Sequence, residues 1–113
     1  MATPNLDVFQ VIADPSRRQI LQMLTKDSYN INYIAENFEM SRPAVSKHIS
    51  ILQSAGFITI SDQGRERYCS LSQDGFIELR NWIDYFDAFW RSKLKTLESV
   101  MNKKSKNSNP SKK

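Results

Sequence analysis

Hydrophobic and polar positions follow two periods along this chain, and the changes between them mark out its elements. Between Asp7 and Ala13 (DVFQVIA), Val8, Phe9 and Ile12 fall on one side of a short helix. Asp14-Pro15 then supplies a helix start: an acceptor for the cap, followed by a residue with preset φ and no N–H to leave unpaired. The helix it opens runs from Pro15 to Thr25 with Ile20, Leu21 and Leu24 inward, and Lys26-Asp27-Ser28 ends it. A third helix extends from an Asn30 cap to Asn37, burying Ile34 and Ala35, with Phe38 and Met40 packing the turn that follows.

The next segment, MSRPAVSKHISILQSAG from Met40 to Gly56, divides sharply. On a wheel of about 100° per residue, Ala44, Val45, Ile49, Ile51, Leu52 and Ala55 share one arc, and Ser41, Arg42, Pro43, Ser46, Lys47 and Ser50 share the other. Ser41 is a good N-cap, and Pro43 lies in the first turn, where backbone N–H groups have no intrahelical partner and a missing one breaks nothing. Only Phe38 to Met40 separate this helix from the one before it, the connection of a helix-turn-helix. In that motif the N-terminal end of the second helix faces the major groove.

Past Gly56 the period shortens to two. Ile58 and Ile60 alternate with Thr59 and Ser61, Asp62-Gln63-Gly64 carries turn chemistry, and Tyr68 to Leu71 returns. Arg65 and Arg67 stand at the tip of this hairpin, which reads as a wing suited to phosphate backbone or the minor groove. From Phe76 to Met101 the chain runs without Gly or Pro, about 39 Å if helical. Leu79, Ile83, Phe86, Trp90, Leu94, Leu97 and Met101 step by three or four, and Trp82 and Phe89 widen the stripe. That is more apolar surface than the small body before it can cover, so the same helix of a second subunit is the expected partner. The pattern predicts a mainly α fold with a β-hairpin wing: a winged helix-turn-helix with a long C-terminal dimerisation helix.

Charge changes this picture less than the total suggests. The net charge is +4, but of 16 basic residues five are lysines of the tail NKKSKNSNPSKK (102–113), which leaves 11 against 12 acidic residues in 1–101. Bulk basicity is therefore poor support for a nucleic-acid partner. The tail has no apolar residue to offset its ordering entropy and reads as disordered, so the expected division is 1–101, DNA binding and dimerisation, and 102–113, a Lys-rich tail. One cysteine, Cys69, excludes an internal disulfide framework, and with His48 as the one histidine no Cys/His metal cluster can form. No metal and no cofactor is expected. The chain has no apolar run of transmembrane length and no secretory pattern at MATPNLDVFQ, which predicts a cytoplasmic protein without membrane contact.

The segments ADPSRRQIL (13–21), IAENFEMSRPAVSKHISIL (34–52), GRERY (64–68) and WIDYFDAFW (82–90) together resemble the ArsR/SmtB-type winged-helix repressors, over nearly everything but the tail. The resemblance is to the metal-independent branch with a Trp-rich final helix. It implies a bacterial homodimer that represses at an inverted repeat in double-stranded DNA, often near its own promoter. Metal-sensing members carry a cysteine pair on the helix before the turn or Asp/His ligands on the last helix; here the first location reads NYIAENF and the second has no histidine. No effector is legible.

The candidate DNA-binding residues are Ser41, Arg42, Pro43, Ser46, Lys47, His48, Arg65 and Arg67. Arg42 and Lys47 either belong to a solvated face or meet a base edge or phosphate, as arginine does bidentately at guanine. Ser41 and Ser46 are cap and surface, or phosphate donors. His48 falls within the apolar arc, where a half-buried hydrogen bond competes with a DNA contact. Arg17 and Arg18 either flank a helix or, as the family motif implies, make a backbone contact or pair between helices. Cys69, mid-strand, reads as a small core residue, since a redox role needs exposure and a lowered pKa. The expected dimer interface is Phe9, Leu79, Ile83, Phe86, Trp90, Leu94 and Leu97. The rival reading is a winged-helix module that binds a protein through its aromatic helix. An enzyme is disfavoured, because no nucleophile, base and orienting group recur at recognisable spacing.

Overall fold

The computed structural model describes residues 6–104. Its elements run α1 (Val8–Ile12), α2 (Pro15–Met23), β1 (Tyr29–Asn30), α3 (Ile31–Glu36), α4 (Arg42–Ser54), β2 (Ile58–Gln63), β3 (Glu66–Leu71) and α5 (Asp74–Lys104).

The corner between α1 and α2 is built from six consecutive residues, ADPSRR. Asp14 caps α2 by accepting from the backbone N–H groups of Ser16 at 2.8 Å and Arg17 at 3.1 Å. Those bonds, together with the absence of an N–H at Pro15, take away the donors that would have continued α1, leaving the carbonyls of Val11, Ile12 and Ala13 to find others. Two arginine side chains replace them. Arg17 Nε donates to Val11 O at 2.8 Å, and Arg18 Nη1 donates to Ile12 O at 2.7 Å and Ala13 O at 3.0 Å. At the other end of α1, Asp7 and Gln10 form a reciprocal capping box. The buried pair of α1 is Val8 and Val11, with Ile12 half-buried; Phe9, expected on one side with Val8 and in the dimer interface, is 37% exposed in the single chain.

Asn30 caps α3 through Tyr33 N–H at 2.7 Å, as its position before the apolar run predicts. The apolar face of α4 is buried at Val45, Ile49, Ile51 and Leu52, while Ala44 and Ala55 lie half-buried at its edges. These side chains close one core with Ile20, Leu24, Ile34, Phe57, Ile58 and Cys69.

The strands form one antiparallel sheet in the order β1-β3-β2. The hairpin differs from expectation at its end. Asp62 and Gln63 are paired with Arg67 and Glu66, so both belong to β2 rather than to the turn, and the connection is the two residues Gly64-Arg65. Gly64 has φ +67 and no other residue near the turn has positive φ, the pattern of a type II′ turn with glycine first. The third strand, β1, was not expected. Tyr29 pairs with Cys69 and Asn30 with Tyr68, and the Tyr29 ring stacks on Tyr33 of α3 at 4.7 Å between centroids.

Helix α5 begins at Asp74, two residues before its expected start, and includes Gly75. Gly75 N–H donates to Gly56 O at 2.8 Å, and a Cβ on Gly75 would sit 2.8–2.9 Å from three ring atoms of Phe57, which is fully buried. Leu79, expected in a dimer interface, packs half-buried against the core of its own chain. The chain divides into two compact units at this point, one ending at Leu79 and one starting at Arg80. In the second unit α5 continues through Lys104, so Asn102 to Lys104, expected in a disordered tail, are helical; the rest of that tail lies outside the described residues. Its surface carries the i,i+4 ion pairs Arg80–Asp84 and Asp87–Arg91.

Candidate nucleic-acid interface

Helix α4 starts where its sequence says it should. Ser41 Oγ accepts from Ala44 N–H at 3.2 Å, and Arg42 and Pro43 occupy the first two helical positions. Ser41, Arg42, Pro43 and Lys47 are exposed, and Ser46 is half-buried. Among the described residues neither Arg42 nor Lys47 enters a salt bridge, so both positive charges stay uncancelled at this edge. Arg42 is held instead by neutral acceptors. Its Nε donates to Asn32 Oδ1 at 2.6 Å, and its Nη1 donates to Ser46 Oγ at 2.7 Å, one turn along the same helix.

His48 is half-buried, as its place in the apolar arc predicts. Arg17 Nη1 lies 3.3 Å from His48 Nδ1. A guanidinium can only donate, so Nδ1 must be the acceptor and the neutral imidazole carries its proton on Nε2. Burial lowers the pKa of His48 below the usual 6.5, the charges of Arg17 and Lys47 add to that, and Asp14 opposes them. Arg17 is 9% exposed and joins three elements: the end of α1 through Val11 O and Gln10 O, the Asp14 cap of α2, and His48 of α4. Asp14 in turn has a lowered pKa: burial raises it, but the two N–H bonds from Arg17 and Ser16 and the charge of Arg17 outweigh that.

In the hairpin Arg65 is exposed in the turn itself. Arg67, expected beside it at the tip, sits back on β3, with Nε 3.3 Å from Asp62 Oδ1 across the strands. An exposed pair of this kind is worth about 0–1 kcal/mol, so Arg67 gives up little in exchanging that carboxylate for another anion.

On α5 the expected interface side chains Ile83, Phe86, Trp90, Leu94 and Leu97 are all exposed in the single chain, Trp90 at 57% and Leu97 at 53%. Trp82 and Phe86 meet edge to face at 5.0 Å between centroids, and Phe89 and Trp90 do the same. Cys69 is fully buried, and burial raises its thiol pKa to about 11, slightly offset by Arg67. Among the described residues no three His, Cys, Asp or Glu side chains are grouped as metal ligands would be. No described helix is long and apolar enough to cross a membrane.

One residue of this region, Asn32, has no signal in the sequence pattern, and for Arg17 the partner, though not the pairing between helices, has none. Asn32 stands ten positions before Arg42 in another helix, a separation that no helical or strand period marks. The link between Arg17 and His48 spans 31 positions, and only the paired arginines of ADPSRR hinted at interhelix contact.

A short helix, a tight connection, a second helix with an exposed basic start, and a basic hairpin define a winged helix-turn-helix DNA-binding module. Residues 14–59 match the family described as bacterial regulatory protein, arsR family. The transcriptional repressor SdpR of Bacillus subtilis (strain 168) is 36% identical over 77 residues, covering 68% of this chain and 86% of SdpR. A crystal structure of a possible transcriptional regulator for arsenical resistance is 38% identical with a TM-score of 0.65, covering 84% of this chain and 96% of that one. The homodimeric winged helix-turn-helix domain of Mb0332 from Mycobacterium bovis shares the fold at 21% identity and a TM-score of 0.58, covering 72% of this chain and 75% of that one. The chain belongs to the arsR family: it is a DNA-binding transcription regulator, and the family is one of regulators, not enzymes.

Proposed function

We propose that the chain is a cytoplasmic homodimeric repressor that binds an inverted repeat in double-stranded DNA, its own promoter included, and that does not sense metal. The observation that carries this reading is the start of α4, where Ser41, Arg42, Pro43 and Lys47 are exposed opposite a face buried at Val45, Ile49, Ile51 and Leu52. Each α4 enters a major groove by this end, with Arg42 at a base edge and Lys47, Ser41 and Ser46 at phosphates. Arg65 and Arg67 of the wing hold flanking backbone. His48 supports α4 from its half-buried position and contributes to DNA binding through its Nε2–H. The exposed stripe Ile83, Phe86, Trp90, Leu94 and Leu97, with Phe9, forms the subunit seam, and a related fold is already known as a homodimer. The one histidine is engaged with Arg17 and the one cysteine is buried as a thiol, which leaves no Cys/His ligand set for a metal.

Selection of bound sequences from a random duplex pool tests the reading. It predicts a palindromic consensus with half-site centres about one helical turn apart. Absence of enrichment would instead favour a protein-interaction module working through the aromatic face of α5.

A further inference from the structure

We propose that Asn32, on the helix before the turn, is a positioning residue for DNA reading: with Ser46 it holds the Arg42 guanidinium so that its remaining N–H edge is offered to the groove. This rests on Arg42 being a DNA contact, as argued above. A guanidinium has five N–H donors. Asn32 Oδ1 takes the one on Nε, and Ser46 Oγ takes one on Nη1. What remains is one N–H on Nη1 and two on Nη2; with Ser46 on the Nη1 hydrogen that faces away from Nη2, one from each nitrogen makes the end fork that fits guanine O6 and N7 or a phosphate.

Three features separate this arrangement from an incidental surface contact. The two anchors come from different helices, α3 and α4, at 2.6 and 2.7 Å, so the side chain is fixed both along and across the motif. An unheld arginine would have to surrender its rotamer entropy on meeting DNA, and here that ordering precedes binding. Both anchors are neutral. A carboxylate at position 32 would hold Arg42 equally well but would cancel the charge that draws it to DNA. Asn32 is exposed, so its side chain is not needed to fill the core.

The opposite role is physically open to the same bonds: they could restrain Arg42 from DNA, and the sign of one substitution separates the two. The full chain carrying Asn32→Ala, Arg42→Ala or both is titrated against the duplex selected from the random pool, against the same duplex with single base-pair changes, and against a scrambled duplex. Loss of a hydrogen bond of ordinary net strength predicts that Asn32→Ala weakens the selected duplex by about 3- to 10-fold. It should relax preference at the base pair that Arg42→Ala also relaxes, leave scrambled DNA unchanged, and have no further effect in the Arg42→Ala background. Asn32→Asp keeps the anchor but should weaken both duplexes and reduce the salt slope of log K by about 0.9, the value for one phosphate-binding charge. Tighter binding by Asn32→Ala, or an undiminished effect when Arg42 is already alanine, overturns the proposal. If Arg42→Ala is harmful and Asn32→Ala is silent, the positioning role falls and the reading of Arg42 stands. If Arg42→Ala is itself silent, both fall.

Discussion

Arg17→Met and Arg18→Met remove the same kind of contact from the same corner, and the structure predicts very different costs. Each arginine donates to carbonyls at the end of α1, but Arg17 is 9% exposed and Arg18 is open to solvent. Methionine keeps an apolar stem at position 17 and takes away the donors. Val11 O cannot find another backbone partner one turn on, because position 15 is proline. The bond to Val11 O, at 2.8 Å, is buried, so its loss strands an acceptor at a cost of about 1–3 kcal/mol, and the contacts to His48 Nδ1 and Asp14 go with it. A total of about 2–3 kcal/mol is expected for Arg17→Met. In Arg18→Met water replaces the lost donor at Ile12 O and Ala13 O, and the cost should stay below about 1 kcal/mol. The assay is denaturant unfolding at neutral pH and one fixed protein concentration, since self-association would shift the midpoint by mass action, with unchanged m-values required for comparison. If Arg18→Met destabilises as much as Arg17→Met, burial of the Val11 bond is not what gives the corner its strength.

Other consequences can be checked in the same way. His48 has a folded-state pKa below its ordinary 6.5, so its contribution to stability is complete above that value and is lost as pH falls through the folded pKa; unfolding midpoints should drop from about pH 7 to about pH 5, and a His48→Gln variant with an equally steep drop would remove His48 as the cause. Leu97→Asp places an unpaired charge in the proposed seam, at a cost of several kcal/mol, and a variant that still sediments as a dimer at micromolar concentration would move the seam elsewhere. Stoichiometric zinc, cadmium or arsenite should leave operator affinity unchanged, and release of DNA by any of them would contradict the metal-free reading. Gly75→Ala should destabilise despite alanine's better helix propensity of about 1 kcal/mol, because overpacking against the Phe57 ring costs about 1–3 kcal/mol; a stability gain would mean that the ring has room to move.

Most of the reading helix was legible, because three independent signals coincide in Ser41 to Gly56: a cap residue, a proline in the first turn, and an apolar arc of helical period. Composition alone does not locate the hairpin turn. Asp62 and Gln63 have turn-forming chemistry, yet the turn was set by which residue could take positive φ; Gly64 does so, and pairing of Gln63 with Glu66 follows from a two-residue loop. Strand β1 is two residues long and has no period to detect; it forms beside the Tyr68 and Cys69 backbone, a contact that sequence pattern cannot report. Leu79 lay on the same stripe as the proposed seam residues, and periodicity alone cannot say whether an apolar side chain faces its own core or another chain. Asn32 and Arg17 act through hydrogen bonds to distant positions, which leave no periodic trace.

The two polar links also explain why an apolar face is not enough for a reading helix. Burial of Val45, Ile49 and Leu52 fixes how deeply α4 sits, but the hydrophobic effect is non-directional and resists a small roll about the helix axis only weakly. A roll of about 20° at a helix radius of about 5–6 Å carries surface side chains by about 2 Å. That exceeds the spread of about 0.5 Å within which donor and acceptor separations of good hydrogen bonds fall. Arg42 ties the start of α4 to Asn32 of α3, and His48, nearly two turns on, ties it to Arg17 of α2. Both links are directional, and they come from different helices, so a roll of that size must be absorbed by both. Lys47 lies between them in sequence and stays exposed. For the base recognition proposed for α4, angular precision would come from these two contacts at the edges of the core, while the core itself supplies the stability.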